Sequence, residues 1–375
     1  MQKNKLFIGI AILVAILGIG LWRYNQKNFP SEEQIKIGVL VPLTGAAASY
    51  GENSKMGAAL AVEEFTAGHP GLKVELIPED SRGEAAQGVK AAQKLLNIDH
   101  VVAVVGCVTS GVTLAVAPSM NEKHVPIISP GGSAPNIRDA GDFVFRTWPS
   151  DVFEAATMAE YLKSKKIQRL AILRVNNEYG LAMEKALSQK LSPPTQVVAS
   201  ESFDQGAREM RTQLFKIKEA QPDALFFVGF PEAAIALAPS LSAVGLQIPL
   251  FATSGFEDPQ VPAKTGGVLD GTVYAKPLAD SPAAEAFRRA YKERYKVDPG
   301  ITSDTAYDAA SLVLRAISAV ASSKQPVTGD VIRDYLLHVR DYAGASGVLT
   351  FDDKGDVIKP VGLFSLHNGQ YEKLP

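Results

Sequence analysis

From Ile35 onward, short apolar runs of strand character alternate with longer segments whose apolar residues recur at helical spacing, which leaves few folds open. Ile35–Val41, Lys73–Pro78, Val101–Val105 and Val125–Ile128 read as strands. Between them, Glu52–Ala67, Glu84–Leu96 and a stretch within Ser110–Lys123 place residues such as Met56, Leu60 and Phe65 on one helical face. Strands separated by helices of this length build parallel βαβ units, because a parallel neighbour is reached only by a crossover. The alternation restarts after Phe143–Arg146. Helices are predicted at Asp151–Ser164, Glu178–Leu191, Ala207–Ala220 and Pro231–Val244, with strands at Arg169–Val175, Gln196–Glu201, Asp223–Val228 and Pro249–Ala252. The tail changes character. Three helices (Pro282–Tyr295, Ser303–Ser322, Thr328–His338) precede two short strands, Gly347–Phe351 and Val361–Leu366.

Two successive series with a helical return predict an α/β chain of two lobes, and 375 residues suffice for two cores. Changes of character near Thr147–Ser150, Ala275–Leu278 and Leu349–Asp353 mark the expected crossings. They assign residues 35–148 plus 277–350 to lobe 1 and residues 149–276 plus 351–375 to lobe 2. Three crossings make a hinge that resists twist yet opens and closes. The cleft then lies at the carboxyl ends of the strands, where open α/β sheets bind ligands. The loops Gly106–Gly111, Ser129–Pro135, Asn176–Gly180, Gly229–Pro231 and Thr253–Phe256 all sit at such ends.

Two of these loops are built for an anion. Ser110 lies in Val105-Gly106-Cys107-Val108-Thr109-Ser110-Gly111, and Gly131, Gly132 and Ser133 lie in Ser129-Pro130-Gly131-Gly132-Ser133-Ala134-Pro135. Small side chains leave peptide N–H groups open, and a helix start adds partial positive charge. Such a place suits a carboxylate. Each residue also has a plainer reading: Ser110 as a helix cap, the two glycines as a turn, Phe230 as core.

Other classes of function lack their residues. His69, His100, His124, His338 and His367 are scattered without metal-ligand spacing. No Gly-x-Ser-x-Gly elbow, Walker loop or dinucleotide fingerprint is present, so catalysis and a cofactor are disfavoured. The net charge is −2, with four cations and no acid in residues 1–30, so the rest of the chain is at −6. An acidic body argues against nucleic acid. The single cysteine, Cys107, has apolar flanks and reads as a buried, inert thiol.

Leu6 to Trp22 is a run of 17 uncharged, mostly apolar residues preceded by Lys3 and Lys5, the pattern of an export signal. As a helix it would span about 25 Å at 1.5 Å per residue. It is followed neither by a cysteine for a lipid anchor nor by an Ala-x-Ala site, which favours an uncleaved anchor. Residues 1–34 are therefore expected to be a signal or anchor with a polar tether, and the protein extracytoplasmic.

Ile37-Gly38-Val39-Leu40-Val41-Pro42-Leu43-Thr44-Gly45 followed by Ser49-Tyr50-Gly51 resembles the opening of the branched-chain amino-acid-binding proteins, the type I periplasmic solute-binding components of ABC importers. The likeness continues through the Ser129–Pro135 loop, Phe145-Arg146-Thr147, Glu178-Tyr179-Gly180, Ala306-Tyr307-Asp308-Ala309 and Phe351-Asp352, and so covers most of residues 35–370. It implies two Rossmann-like lobes with parallel sheets, joined by a three-strand hinge. It also implies a monomer that hands its ligand to an ABC permease, or, in a rival reading, signals to a membrane receptor. By resemblance, Ser110 and Gly131, Gly132 and Ser133 would hold an α-carboxylate, and Tyr50, Tyr179 and Phe230 would cover the side chain. A carboxylate from the Ala252–Phe256 loop would pair with the ammonium. That loop reads Ala252-Thr253-Ser254-Gly255-Phe256, with no acid. Glu257 is the nearest substitute, with Ser254 beside it, and Asp151 and Asp304 are further candidates. A buried ammonium without a partner is costly. Either one of these acids serves, or the ligand is an aromatic or aliphatic carboxylate, an amide or a urea-like compound. Asp308, within an apolar helix, is expected to be a structural hydrogen-bonding residue.

Overall fold

The computed structural model describes residues 34–322 and 326–375, so the apolar run Leu6–Trp22 lies outside the described residues. The first sheet has the order β2-β1-β3-β4-β5 and is parallel throughout. Its strands are Ile35–Val41 (β1), Val74–Asp80 (β2), Ala103–Gly106 (β3), Ile127–Ser129 (β4) and Val144–Arg146 (β5). Central strands of a covered sheet are buried on both faces and therefore read as continuous apolar runs. That accounts for Val39, Leu40 and Val41 in β1 and Val104 and Val105 in β3, all fully buried.

Helices α1 (Ala48–Gly68), α2 (Ala85–Lys94) and α3 (Ser110–Glu122) make the crossovers. α1 packs along α10 (Ser303–Ser322), which returns from the far end of the chain. Their backbones touch at Gly57, where a Cβ would lie 2.0 Å from the Ser303 carbonyl oxygen.

The second sheet, β14-β13-β10-β9-β8-β6-β7, is mixed. Its parallel part comprises Arg169–Val175 (β6), Gln196–Phe203 (β7), Ala224–Val228 (β8), Leu250–Thr253 (β9) and Val273–Pro277 (β10). Val361–His367 (β13) and Gln370–Lys373 (β14) then add an antiparallel hairpin at the β10 edge. Helices α4 (Asp151–Ser164), α5 (Glu178–Lys190), α6 (Arg211–Glu219), α7 (Pro231–Val244) and the short α8 (Gln260–Thr265) accompany this sheet. Pro282–Tyr295 (α9) and Gly329–Leu337 (α11) join α10 beside the first sheet, with the small hairpin Tyr342–Gly344 (β11) and Gly347–Leu349 (β12).

The chain passes between the sheets three times. The first passage follows β5 and the second follows β10. The third comes later than the change of character near Leu349–Asp353 suggests. Phe351 bridges Val357 and packs edge-on against Phe145, so the chain stays with the first sheet until about Val357 and joins the second at Val361. The Leu278 N–H donates to the Pro360 carbonyl at 2.9 Å, tying the second passage to the third.

Arg146 fastens the hinge from the first sheet. Its guanidinium is fully buried and holds Asp356 bidentately, at 2.6 and 2.5 Å, with a further bond to the Ala134 carbonyl. Breaking a buried pair by removing one partner leaves an uncompensated charge, a loss of about 3–5 kcal/mol. Asp356→Ala should lower stability by that amount in denaturant titration. Loss of the exposed Asp353 contact with Arg138 should move the midpoint far less.

Candidate ligand-binding site

A cavity lies between the sheets, at the carboxyl ends of β1, β3, β4, β8 and β9. Seven of the residues expected from the sequence line it: Tyr50, Ser110, Gly131, Ser133, Tyr179, Phe230 and Ser254. Gly132 and Glu257 lie outside its lining.

One end suits a negative charge. Thr109 is the N-cap of α3 and Ser110 is its first residue, so Ser110 is not itself the cap. Its Oγ accepts from the N–H groups of Ser133 (3.2 Å) and Ala134 (3.1 Å), which fixes one small-residue loop against the other. A hydroxyl has two acceptor positions and one hydrogen. With both positions taken, the hydrogen is what Ser110 still offers a ligand. Thr109 Oγ1 is buried beside it without a hydrogen-bond partner, and the first N–H groups of α3 have no acceptor within the helix. Gly131 is required here by packing, since a Cβ would meet the Val108 carbonyl oxygen at 2.7 Å. The Gly132 N–H is held by Ser129 Oγ at 2.9 Å.

The middle is aromatic. Tyr179 stacks on Phe230 at 5.6 Å between centroids, and Tyr50 meets Phe230 edge-on at 6.2 Å. The hydroxyls face away from the apolar space. Tyr179 donates to Thr253 Oγ1 at 2.7 Å, and Tyr50 reaches from the first lobe to the Gly255 carbonyl of the second at 2.5 Å. The Tyr50 bond spans the cleft, so this conformation is closed.

The other end carries an acid that sequence reasoning missed, Glu154 in the first turn of α4. Its carboxyl accepts from Ser254 Oγ at 3.1 and 3.2 Å and from Trp148 Nε1 at 3.3 Å. Burial pushes its pKa up to about 8, and neighbouring Asp151 adds to the rise, while Ser254 and Trp148 partly offset it. Asp151, one turn earlier, is also buried and both its carboxyl oxygens lack a hydrogen-bond partner. Burial raises it to about 7, opposed by Ser133 and Arg146.

Glu257 is turned elsewhere. It follows the short helical turn Ser254–Phe256, which sends its side chain to Lys276 at 2.7 and 2.8 Å and to the Tyr274 hydroxyl. Only its backbone carbonyl approaches Tyr50, at 3.5 Å. Asp304 also lies outside the cavity. Asp308 accepts from the N–H groups of Ala345 and Ser346 at 2.7 and 2.8 Å, as a structural residue does. Cys107 is buried, with its thiol pushed far up by burial. No cluster of possible metal ligands occurs among the described residues.

Residues 34–370 match the family model described as "Periplasmic binding protein". The Leu/Ile/Val-binding protein homolog 3 of Brucella melitensis is 29% identical over 333 residues, covering 87% of this chain and 89% of that one. A leucine binding protein from Thermotoga maritima superposes with a TM-score of 0.84 at 26% identity, over 91% of this chain and 98% of the other. The branched-chain amino acid transporter substrate binding protein of Streptococcus pneumoniae, solved with isoleucine, gives 0.82 at 25% identity over 91% and 99%. The chain belongs to the periplasmic binding protein family. Within it, the chain is a type I member of the group that its sequence resembles.

Ser110→Ala removes the hydroxyl hydrogen and the acceptor that joins the two loops. It should weaken ligand binding at least about fivefold, the scale of one hydrogen bond, while the protein still unfolds cooperatively. Calorimetric titration checks this, and unchanged affinity would remove Ser110 from the site.

Proposed function

We propose that the protein is an extracytoplasmic solute-binding protein that captures an α-amino acid with a short apolar side chain and delivers it to an ABC permease. One observation carries this reading. Within a single closed cavity, hydroxyls at a helix N-terminus face one end, a buried carboxyl stands at the other, and aromatic rings lie between.

A zwitterion with an apolar side chain answers all three. Its carboxylate would meet Ser110, Thr109 and the Gly131–Ser133 loop. Its ammonium would meet Glu154, with Asp151 behind. Glu154 thus supplies the acid that the Ala252–Phe256 loop lacks, and Ser254 in that loop orients it. The relatives named for leucine, isoleucine and valine support this ligand class.

Binding acts by closure. The carboxylate site belongs to the first lobe and Glu154 to the second, so only a ligand reaching both favours the closed form. A permease that reads this form would then receive loaded protein. The chemistry is capture and release, and no residue of the cleft has to react. We place the protein outside the cytoplasmic membrane as a monomer, held there by residues 6–22.

Removing a charge partner from a desolvated ammonium costs about 3–5 kcal/mol, which corresponds to about a hundredfold or more in affinity. Glu154→Gln should weaken leucine binding by that factor in calorimetric titration. Glu257→Gln should leave it within about threefold, because Glu257 is spent on Lys276. The reverse pattern would assign the ammonium to Glu257.

A further inference from the structure

A second and larger cavity lies behind the first against the hinge. The two share Trp148 and Ile301 as lining. Trp148 stands in the first passage between the sheets, and its neighbours pin the backbone there. The Thr147 hydroxyl donates to the Thr305 carbonyl at 2.9 Å, the Thr147 N–H donates to the Ser129 carbonyl, and Pro149 follows. The indole is oriented by its bond to Glu154. Trp148 is therefore a fixed wall between the cavities, and the acid that orients it is the one assigned to the ligand's ammonium.

The hinge cavity is polar. Lys276 is answered by Glu257. Lys359 is buried, donates to the Ser346 carbonyl and hydroxyl at 3.0 and 2.6 Å, and is faced by Asp308 and Asp304. Asp304 accepts from the Thr305 N–H at 2.8 Å and has no cation at ion-pair distance among the described residues. Lys359 and Lys276 act on Asp304 from beyond ion-pair distance, so Asp304 is the inner acid of this cavity without a direct ion pair. Arg288 and Asp280 stand at the exposed mouth.

We propose that Trp148 sets the length of side chain this protein accepts. Its indole closes off a hinge cavity in which Asp304, an acid without a direct ion pair, would otherwise take the cationic end of a basic amino acid. The inference rests on the amino-acid reading of the first cavity. With the indole present, a leucine-sized side chain ends at the wall, and an arginine or lysine side chain has nowhere to place its charge. With the indole gone, the cavities join and a guanidinium gains a route to Asp304.

The test is calorimetric titration of the full chain with leucine and arginine, read as the ratio of their dissociation constants. The wild type should bind leucine far more tightly. Trp148→Ala should shift the ratio towards arginine by at least about tenfold, one well-placed ion pair on this scale. Adding Asp304→Asn should reverse that shift. Trp148→Phe keeps the wall and loses the N–H, so it should weaken both ligands together and leave the ratio unchanged. Trp148→Leu repeats the truncation should the alanine variant fold poorly, as judged by thermal melting. An unchanged ratio in the truncated variants, or a wild type that binds arginine as tightly as leucine, overturns the proposal. A wild type that binds neither amino acid overturns the ligand class instead. The same ratio, measured with 4-methylpentanoate and 5-guanidinopentanoate, then still decides the role of Trp148.

Discussion

The closed cleft buries more negative charge than it answers. Asp151 and Glu154 lie one turn apart on α4, both out of solvent. Glu154 accepts from the Ser254 hydroxyl and the Trp148 indole N–H, and the carboxyl oxygens of Asp151 have no partner at hydrogen-bond distance among the described residues. A carboxylate in such surroundings either takes up a proton or acquires a cation, because burial penalises its charged form. An ammonium arriving with the ligand relieves this penalty. On the proposed reading, closure without ligand is thereby disfavoured, and closure around ligand is favoured by the same two residues. A binding protein needs that asymmetry, since a population shift requires a ligand that binds one state better than the other.

The fold delivers this chemistry by putting opposite signs at opposite lobes. Parallel strands of both sheets end at the cleft, so the helices that follow β3 and β8 begin there with their N–H groups pointing in. α3 presents Thr109 and Ser110 from the first lobe. α4 brings its acids from the second, just past the hinge. The Tyr50 hydroxyl crosses to the Gly255 carbonyl as the lobes meet, and Phe230 packs between Tyr50 and Tyr179 to cover the apolar middle. At the rear, the buried Arg146–Asp356 pair holds the first and third passages together.

Much of this was legible in the sequence because strand ends announce themselves. Ser110, Gly131, Ser133, Tyr50, Tyr179, Phe230 and Ser254 each follow an apolar strand, in the connecting loop or the first turn of the next helix, and all seven line the cavity. Glu154 was hidden for a physical reason. Acids in the first turn of a helix are common because they favour the helix dipole, so Glu154 looked ordinary there, although its neighbour Asp151 is among the candidates. Glu257 drew attention by its place in the chain, next to the loop where the resemblance expects an acid. Adjacency along the chain does not fix direction, and one helical turn sends its side chain to Lys276 instead. The antiparallel β13–β14 hairpin was missed in part, since two short strands at a chain end carry little periodicity.

Whether Glu154 is the partner of a ligand ammonium can be read from a proton count. Binding of leucine and of 4-methylpentanoate, the same skeleton without the amine, would be measured at pH 7 by calorimetry in buffers of different ionisation enthalpy. With an ammonium beside it, Glu154 stays ionised. Facing an amine-free ligand in the closed cleft, it takes up a proton, because burial raises its pKa there. The 4-methylpentanoate complex should therefore hold about one proton more than the leucine complex, a difference set by the two bound states alone. That difference should vanish in Glu154→Gln. Equal proton counts for both ligands in the wild-type protein would remove Glu154 as the partner of the ammonium.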